Sequence, residues 1–141
     1  MTTFVDTNVL VYARDLSEPD KQPLAAAWMA HLWQNESGRT SVQVLNEYYV
    51  TVTRKLSPGL DRVIARNDVR DLTTWRPAVI DQTTVDAAWD LEDRFSLSWW
   101  DSLIVASARE LGCDRLLTED LADGQVYDTL VVTNPFRLTP I

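Results

Sequence analysis

The sequence predicts a single α/β domain with a mainly parallel sheet covered by helices. Short apolar runs of strand length alternate with helical stretches along the chain, which is the order typical of parallel α/β folds. The 141 residues suit one hydrophobic core, and neither an internal repeat nor a linker divides them. In such sheets, ligands bind outside the carboxyl ends of the strands, near the point where the strand order reverses. Residues that follow the strands are therefore the first candidates for a functional site.

Hydrophobic periodicity and capping residues predict the elements of the first half. In order, they are a strand at 2–6, a helix from about Val9 that Thr7 and Asn8 would cap, a helix at 20–35, a strand at 39–41 and a helix from 42. In this last helix, apolar residues recur at helical spacing and predict a buried stripe, which consists of Val42, Leu45, Tyr49, Val52 and Leu56. The turn residues at 57–59 then break the helix.

The second half continues the alternation of helices and extended segments. In order, it contains a helix at 60–75, an extended segment at 77–81, a helix opened by a capping box at 83–86, a helix opened by Trp100 or Asp101, and strands at 115–118 and 130–133. Gly112 is a natural C-terminal stop for the last helix. The sequence therefore predicts a central sheet of four or five short strands.

Composition limits the classes of function. With 21 acidic and 13 basic residues, the formal net charge is -8, which argues against tight nonspecific binding to a nucleic-acid backbone but not against a nucleic-acid enzyme. Cys113 and His31 are the only residues of their types, so a usual zinc site is nearly excluded and any metal would be bound by oxygens. No signal peptide or apolar run of membrane-spanning length is recognisable, which predicts a cytoplasmic protein without a membrane partner.

Three well-separated acids are candidates for an oxygen-ligand site, and each also has a structural explanation. Asp6 ends the first strand between apolar runs, where a carboxylate must be solvated, paired or bound to a cation, although it could simply cap the next helix. Asp101 precedes an apolar helix, whose N-terminus stabilises the ionised form that a hard cation needs. Glu47 lies nearly opposite the predicted stripe, so periodicity alone places it on a solvated face, although Val44 and Val50 flank it.

A fourth acid is expected just after the strand at 115–118. Glu119, Asp120 and Asp123 compete for this place, because successive side chains at a strand end point in opposite directions. The same residues could instead form an ordinary polar turn. We expect only one of the three to face a site.

Basic residues form a pattern of their own. Arg62, Arg66 and Arg70 are spaced four apart and therefore share one face of a predicted helix. This face could contact a nucleic-acid backbone. Acidic residues nearby make an ordinary salt-bridged surface an equally good interpretation.

Four segments, FVDTNVLVYA, SVQVLNEYY, WWDSLIVASA and LLTEDLADG, together resemble the PIN-domain ribonucleases, particularly the VapC-like toxins of bacterial toxin–antitoxin pairs. The resemblance covers essentially the whole chain, and the order and spacing of the segments make it specific. It implies one PIN-like nuclease domain over residues 1–141. The implied fold is a three-layer α/β/α arrangement around a central, mainly parallel sheet.

The resemblance also implies roles for individual residues. Asp6, Glu47, Asp101 and Asp120 would form the acidic cluster that binds Mg2+ or Mn2+, with Asn8, Ser41 and Thr118 as supporting polar residues. The implied activity is an endoribonuclease that cleaves RNA by means of a metal-activated water. Toxins of this family commonly form homodimers and are blocked by a cognate antitoxin, so the resemblance implies both partners here.

Two other functions stay open at this point. A strand followed by an aspartate and an apolar helix also opens phosphohydrolases that use an aspartyl nucleophile, but those enzymes generally carry a second aspartate two residues later, where this chain has Asn8. A PIN-like module could also bind RNA or protein without cutting. The presence of all four motif acids argues against such a module.

Overall fold

The computed structural model describes residues 1–141, with five strands and six α-helices. The strands are β1 (Thr3–Val5), β2 (Gly38–Arg39), β3 (Arg115–Leu117), β4 (Val126–Tyr127) and β5 (Leu130–Thr133). The helices are α1 (Thr7–Arg14), α2 (Lys21–Gln34), α3 (Val42–Val50), α4 (Arg62–Leu72), α5 (Gln82–Phe95) and α6 (Trp99–Glu110). A π-helical turn, Thr51–Lys55, extends α3, and a 3-10 turn, Thr73–Trp75, extends α4. None of the helices combines the length and the apolar character that crossing a membrane requires.

The strands form one sheet in the order β2-β1-β3-β5-β4. All neighbouring pairs are parallel except β4 and β5, so the predicted mainly parallel sheet of four or five strands is confirmed. From β1 the chain moves to one side to form β2 and then returns to the other side to form β3. The strand order therefore reverses around β1. The carboxyl ends of β1 and β3 lie side by side at this switch point, where open α/β sheets bind their ligands.

The two central strands lie in the middle of the hydrophobic core. Phe4 and Val5 of β1 and Leu116 and Leu117 of β3 are fully buried, as expected for parallel strands covered on both faces. Helix α1 packs against α2 and α3, while α5 and α6 pack against each other as a second group. The sheet and these two helical groups form the three-layer α/β/α fold that the sequence predicts.

Two helices begin earlier than the sequence predicts, because polar side chains ahead of them act as caps. Asp81 caps α5 and forms a capping box with Thr84, so the box predicted at 83–86 is wrong by two residues. Helix α6 begins at Trp99, and Ser98 accepts a hydrogen bond from the backbone N–H group of its third residue. Gly112 follows α6 with a φ of 69°, which agrees with its predicted role as a stop.

The apolar stripe predicted on α3 is displaced in the structure. Leu45 and Val52 are buried as predicted, but Val42 is 40% exposed. Val44 and Tyr48 are buried in its place, because α3 packs against both α1 and α4. The contact surface of α3 therefore extends around the helix and reaches the neighbourhood of Glu47.

Two extended segments also differ from the prediction. Strand β4 was missed, because two residues are too few to show an alternating pattern. Residues 77–81 form no strand and contribute only an isolated bridge between Ala78 and Ser41. The fifth strand of the sheet is thus β4 and not this segment.

Candidate metal and active site

Asp6 ends β1 and also caps α1. Its Oδ1 accepts a hydrogen bond from the backbone N–H group of Thr7 at 2.7 Å, and its Oδ2 accepts one from the hydroxyl group of Thr118 at 2.8 Å. The side chain is buried, with 6% exposure. Helix α1 therefore begins at Thr7 rather than near Val9, and the cap is Asp6 instead of the predicted pair Thr7 and Asn8. The carboxylate of Asp6 therefore caps α1 and also lies at the switch point of the sheet.

The side-chain amide of Asn8 connects the ends of β1 and β3. Its Nδ2 lies 3.0 Å from Thr118 Oγ1, 3.2 Å from Asp120 Oδ2 and 3.4 Å from Asp6 Oδ2. Its Oδ1 accepts a hydrogen bond from the backbone N–H group of Glu119 at 3.3 Å. Because an amide nitrogen carries only two protons, the three acceptors share them. Asn8 and Thr118 thus hold the carboxylates of Asp6 and Asp120 close together. We call this cluster of four side chains the junction.

Glu47 approaches this junction from α3. Thr7 Oγ1 donates to its Oε2 at 2.7 Å, and Gln43 Nε2 donates to its Oε1 at 3.1 Å. The residue is partly buried, so the solvated face that periodicity alone predicts for it is wrong. Sequence reasoning recognised Thr7 only as a capping residue, because no local signal shows a partner 40 residues away.

The turn after β3 separates the roles of its three acids. Glu119 accepts a hydrogen bond from the hydroxyl group of Tyr12 at 2.7 Å and forms an ion pair with Lys21 at 2.8 Å. Asp123 accepts a hydrogen bond from the backbone N–H group of Asn134, which follows β5. Both carboxylates are therefore engaged away from the junction. Asp120 is the acid of this turn that lies beside Asn8, which agrees with the choice of this residue by the resemblance.

Asp101 lies near the junction but does not touch it. It is the third residue of α6 and half-buried, and its carboxylate makes no hydrogen bond. Burial raises the pKa of Asp120, and the charges of Glu119, Asp101 and Glu47 raise this pKa further. Asp101 therefore lies within electrostatic reach of Asp120.

Ser41 is the one supporting residue that the structure does not place at the junction. It is fully buried and caps α3, where its hydroxyl oxygen accepts a hydrogen bond from the backbone N–H group of Val44 at 3.2 Å. It makes no hydrogen bond to any of the four acids. Its contribution is indirect, because the start of α3 determines where Glu47 lies.

The junction carries negative charge that no base neutralises. The four acids predicted to form the cluster have no ion-pair partner, since every ion pair of the chain involves other residues. Burial raises the pKa of Asp6 to about 6 in spite of two hydrogen bonds that lower it, and the neighbouring charges of Asp120 and Glu47 raise it further. Such a site stabilises a bound cation, because an opposite charge favours the ionised form of each carboxylate.

The donor set fits a hard divalent cation. All its ligand atoms are oxygens, as Mg2+ and Mn2+ prefer. No three of the carboxylates lie close enough together to bind one ion directly as they stand. Mg2+ usually takes one or two carboxylates and keeps several waters, so the arrangement suits an ion that is held partly through water. The Asn8 amide, a neutral donor between two carboxylates, marks where positive charge is favoured.

A cavity of about 790 Å³ opens beside the junction. Its walls come from α1 and the segment between α1 and α2, from α3 with the π-helical turn, and from the turn after β3. Glu47 and Asp120 line it, whereas Asp6 is buried behind the lining and Asp101 lies outside it. Lys55 is the only base in the lining. A ligand in this cavity would therefore meet two of the four acids directly.

The arginines predicted to share a helix face do so on α4. Arg62, Arg66 and Arg70 are exposed, and none of them forms an ion pair. The guanidinium group of Arg66 lies 5.8 Å from the centre of the Tyr49 ring, and its Nε donates to the Tyr49 hydroxyl group at 3.2 Å. The salt-bridged surface that the sequence allowed is not formed, because Asp68 of the same helix pairs with a base of α1.

Comparisons with solved structures identify the same fold in other proteins. The chain is similar to Mycobacterium tuberculosis VapC20, a toxin that cleaves the sarcin-ricin loop, with 22% identity, a TM-score of 0.63 and coverage of 82% of this chain and 87% of that one. It is similar to a chain of a toxin–antitoxin complex from Klebsiella pneumoniae, with 19% identity, a TM-score of 0.63 and coverage of 95% and 98%. It is also similar to a chain of Rickettsia felis VapBC2 bound to a promoter DNA fragment, with 18% identity, a TM-score of 0.64 and the same coverage.

Sequence comparisons identify the family. No curated protein sequence matches this chain significantly. The family model of the PIN domain, however, matches residues 3–122, which include the switch point and all four acids. Because the match spans most of the chain and the fold agrees with it, this protein belongs to the PIN-domain family.

Proposed function

We propose that this protein is a metal-dependent endoribonuclease and the toxin of a toxin–antitoxin pair. Its membership of the PIN-domain family supports a nuclease. The observation that carries the proposal is the convergence of Asp6, Glu47 and Asp120 on Thr7 and Asn8 without a basic partner. Such an uncompensated cluster is costly to a fold, and binding of a cation would relieve it.

Asp6, Glu47, Asp101 and Asp120 are the residues that would hold Mg2+ or Mn2+. When bound, the ion would supply charge relief for the phosphate and a nucleophilic water at neutral pH. Asn8 and Thr118 orient the carboxylates through their hydrogen bonds. Because Glu47 and Asp120 line the cavity, these two carboxylates would lie next to the scissile phosphate and would be the candidates to accept the proton of the attacking water.

An antitoxin and a second copy of the chain are the proposed protein partners. The similar chains from Klebsiella pneumoniae and Rickettsia felis come from toxin–antitoxin assemblies. By this likeness, a cognate antitoxin would block the acidic cavity, and the toxin would act as a homodimer. As a nuclease of cellular RNA, it would work in the cytoplasm.

RNA cleavage tests the proposal directly. Purified protein is incubated with total cellular RNA and Mg2+ or Mn2+, with EDTA in a parallel reaction. Asp120→Asn is compared with its neighbour Glu119→Gln, because the two adjacent acids differ in whether they face the junction. Asp101→Asn is compared with Asp93→Asn, an exposed acid of α5. We expect cleavage to need the metal. We expect Asp120→Asn and Asp101→Asn to lose cleavage, whereas Glu119→Gln and Asp93→Asn retain it.

Two outcomes would overturn this proposal. Cleavage that survives in Asp101→Asn and Asp120→Asn would assign the activity to other residues or to a contaminant. RNA binding without cleavage under any metal condition would favour a non-catalytic interaction module.

An aspartyl-nucleophile phosphohydrolase is disfavoured by the position of Asp6. Its carboxylate is buried behind the cavity, with both oxygens engaged in hydrogen bonds, whereas a nucleophile must reach its substrate. A covalent aspartyl-phosphate detected at Asp6 by mass spectrometry would reverse this preference.

A further inference from the structure

Unpaired positive charge is concentrated in one short part of this acidic chain. Only Arg14, Lys21, Arg94 and Arg109, four of the 13 bases, form ion pairs. Five of the others, namely Arg54, Lys55, Arg62, Arg66 and Arg70, fall between residues 54 and 70. An excess of base in a protein of formal charge -8 is unexpected on statistical grounds. It makes this part of the surface a candidate for binding a polyanion.

None of the three acids nearby forms an ion pair with these bases: Asp68 and Asp61 are engaged elsewhere, and Asp71 is exposed without an ion-pair partner. Asp68 accepts hydrogen bonds from Arg14 and from the hydroxyl group of Tyr48. Asp61 caps α4 through the backbone N–H group of Val63 at 2.8 Å. The positive charge of α4 therefore remains available to a ligand.

The basic residues are continuous with the acidic cavity. Lys55 lines the cavity, and Arg66 and Arg70 line a second depression of about 200 Å³ on the other side of α3. Asn46 lines both. Helix α3 and its π-helical turn thus form a low ridge between the acids and the arginines. Lys55 lies eight residues after Glu47, which corresponds to roughly 12 Å along a helix.

We propose that a single-stranded RNA backbone crosses this ridge, with Lys55, Arg66 and Arg70 as its phosphate contacts. The proposal rests on the proposed ribonuclease function and defines where the substrate lies next to the scissile bond. The distance from Glu47 to Lys55 leaves room for a short stretch of backbone between the scissile phosphate and the first basic contact. Guanidinium groups suit phosphates because their donors form a fork, and the hydrogen bond from Arg66 Nε to the Tyr49 hydroxyl group preorganises one of them.

A binding experiment tests this path without depending on cleavage. The probe is a fluorescent oligouridylate of about 12 nucleotides, within the size range of single-strand sites. The protein carries Asp120→Asn, and EDTA is present, so the probe stays intact. Affinity is measured by fluorescence anisotropy from about 50 to 300 mM KCl, where counterion release makes log K fall linearly with log salt. Lys55→Gln, Arg66→Gln and Arg70→Gln are added singly and together.

Arg76→Gln is the matched control. Arg76 is also exposed and unpaired, but it lines a depression that shares no residue with the acidic cavity. Thermal unfolding of every variant shows whether the fold is retained. A single-chain polyglutamate peptide serves as a competitor, because an acidic peptide would be attracted by the same charges.

Each substitution in the path is expected to lower the salt slope by about 0.7, and the three together by about 2. If the parent and the triple variant bind equally at about 1 M salt, this difference in slope makes the triple variant bind about 100-fold more weakly than the parent at about 0.1 M salt. The control is expected to keep the slope of the parent. The path is overturned if the folded triple variant keeps the salt slope of the parent. It is also overturned if the triple variant loses binding to polyglutamate but retains binding to RNA. If the substitutions lower the salt slope as expected but the wild-type protein does not cleave RNA, only the proposed ribonuclease activity is contradicted.

Discussion

The ionisation of Asp6 gives the sharpest test of how the junction is built. Burial raises its pKa from 3.8 to about 6. Between these values the native protein holds a proton that the unfolded chain has released, so the stability of the metal-free protein falls as the pH rises. A shift of about 2 pKa units corresponds to about 3 kcal/mol, and most of this loss develops between about pH 4 and pH 6.

The substitution Asp6→Asn removes the titration while keeping the size of the side chain and a good capping residue. Urea unfolding in EDTA, measured from about pH 4 to pH 7.5, gives the free energy of unfolding of both proteins. The variant is expected to gain about 3 kcal/mol relative to the wild type as the pH rises through this range. Saturating Mg2+ is expected to reverse the gain, because only the wild type binds the ion tightly and ligand binding stabilises the native state.

The difference between the two proteins reports the titration of Asp6 together with its charge coupling to Asp120 and Glu47, since groups far from the junction contribute equally to both. Asp93→Asn controls for the loss of any one negative charge, because Asp93 is exposed on α5. Parallel pH profiles for wild type and Asp6→Asn would show that the burial of Asp6 has no energetic cost. In that case, the reasoning that the junction needs a cation would be refuted.

The remaining predictions concern packing, capping and the contact between α1 and α3. Gly38→Ala is expected to lower the free energy of unfolding in urea by about 1 to 3 kcal/mol, because the new methyl group would clash with the ring of Trp75. No loss would mean that this ring moves freely. Asp81→Ala is expected to cost about 1 kcal/mol and Asp81→Asn much less. Because hydrogen bonds at the cap lower the pKa of Asp81, the difference between wild type and Asp81→Ala should shrink as the pH falls below the usual range of an aspartate, and a pH-independent difference would contradict the cap. Thr7→Val is expected to cost about 1 kcal/mol and to raise the Mg2+ concentration needed for cleavage, because Glu47 loses its donor; an unchanged Mg2+ requirement would contradict the role of this contact.

The sequence predicts the sheet and half of the junction for the same physical reason. Parallel strands present their carboxyl ends at one edge, so acids that follow two neighbouring strands must lie close together. Asp6 after β1 and Asp120 after β3 satisfy this condition, and their separation in sequence is irrelevant to it. The residue pattern alone does not separate Asp120 from Glu119, because the difference depends on Tyr12 and Lys21, which the sequence does not connect to the turn. The family resemblance is what ranks Asp120 first.

Contacts between distant helices explain what sequence reasoning missed. A helical wheel shows which residues are apolar, but it does not show that a neighbouring helix offers a hydroxyl group to Glu47. In the same way, spacing alone favours ion pairs between the arginines and aspartates of α4. Asp68 instead reaches Arg14, which lies 54 residues earlier, and the arginines remain unpaired. Both features depend on how α1 packs against its neighbours, which local patterns do not encode.

The way in which helices start explains how so many carboxylates are tolerated in one place. Asp6 caps α1, and Asp101 lies in the first turn of α6, where the positive end of each helix dipole offsets about 0.3 to 1 kcal/mol of the cost of a negative charge. This is less than the cost of about 3 kcal/mol that the raised pKa assigns to the ionised form of Asp6. Since that pKa already includes the hydrogen bonds of the native state, the remaining cost is present in the metal-free protein at neutral pH. The divalent cation of the proposed function would compensate this cost, and its affinity is therefore expected to rise with pH between about 4 and 6, as Asp6 releases its proton.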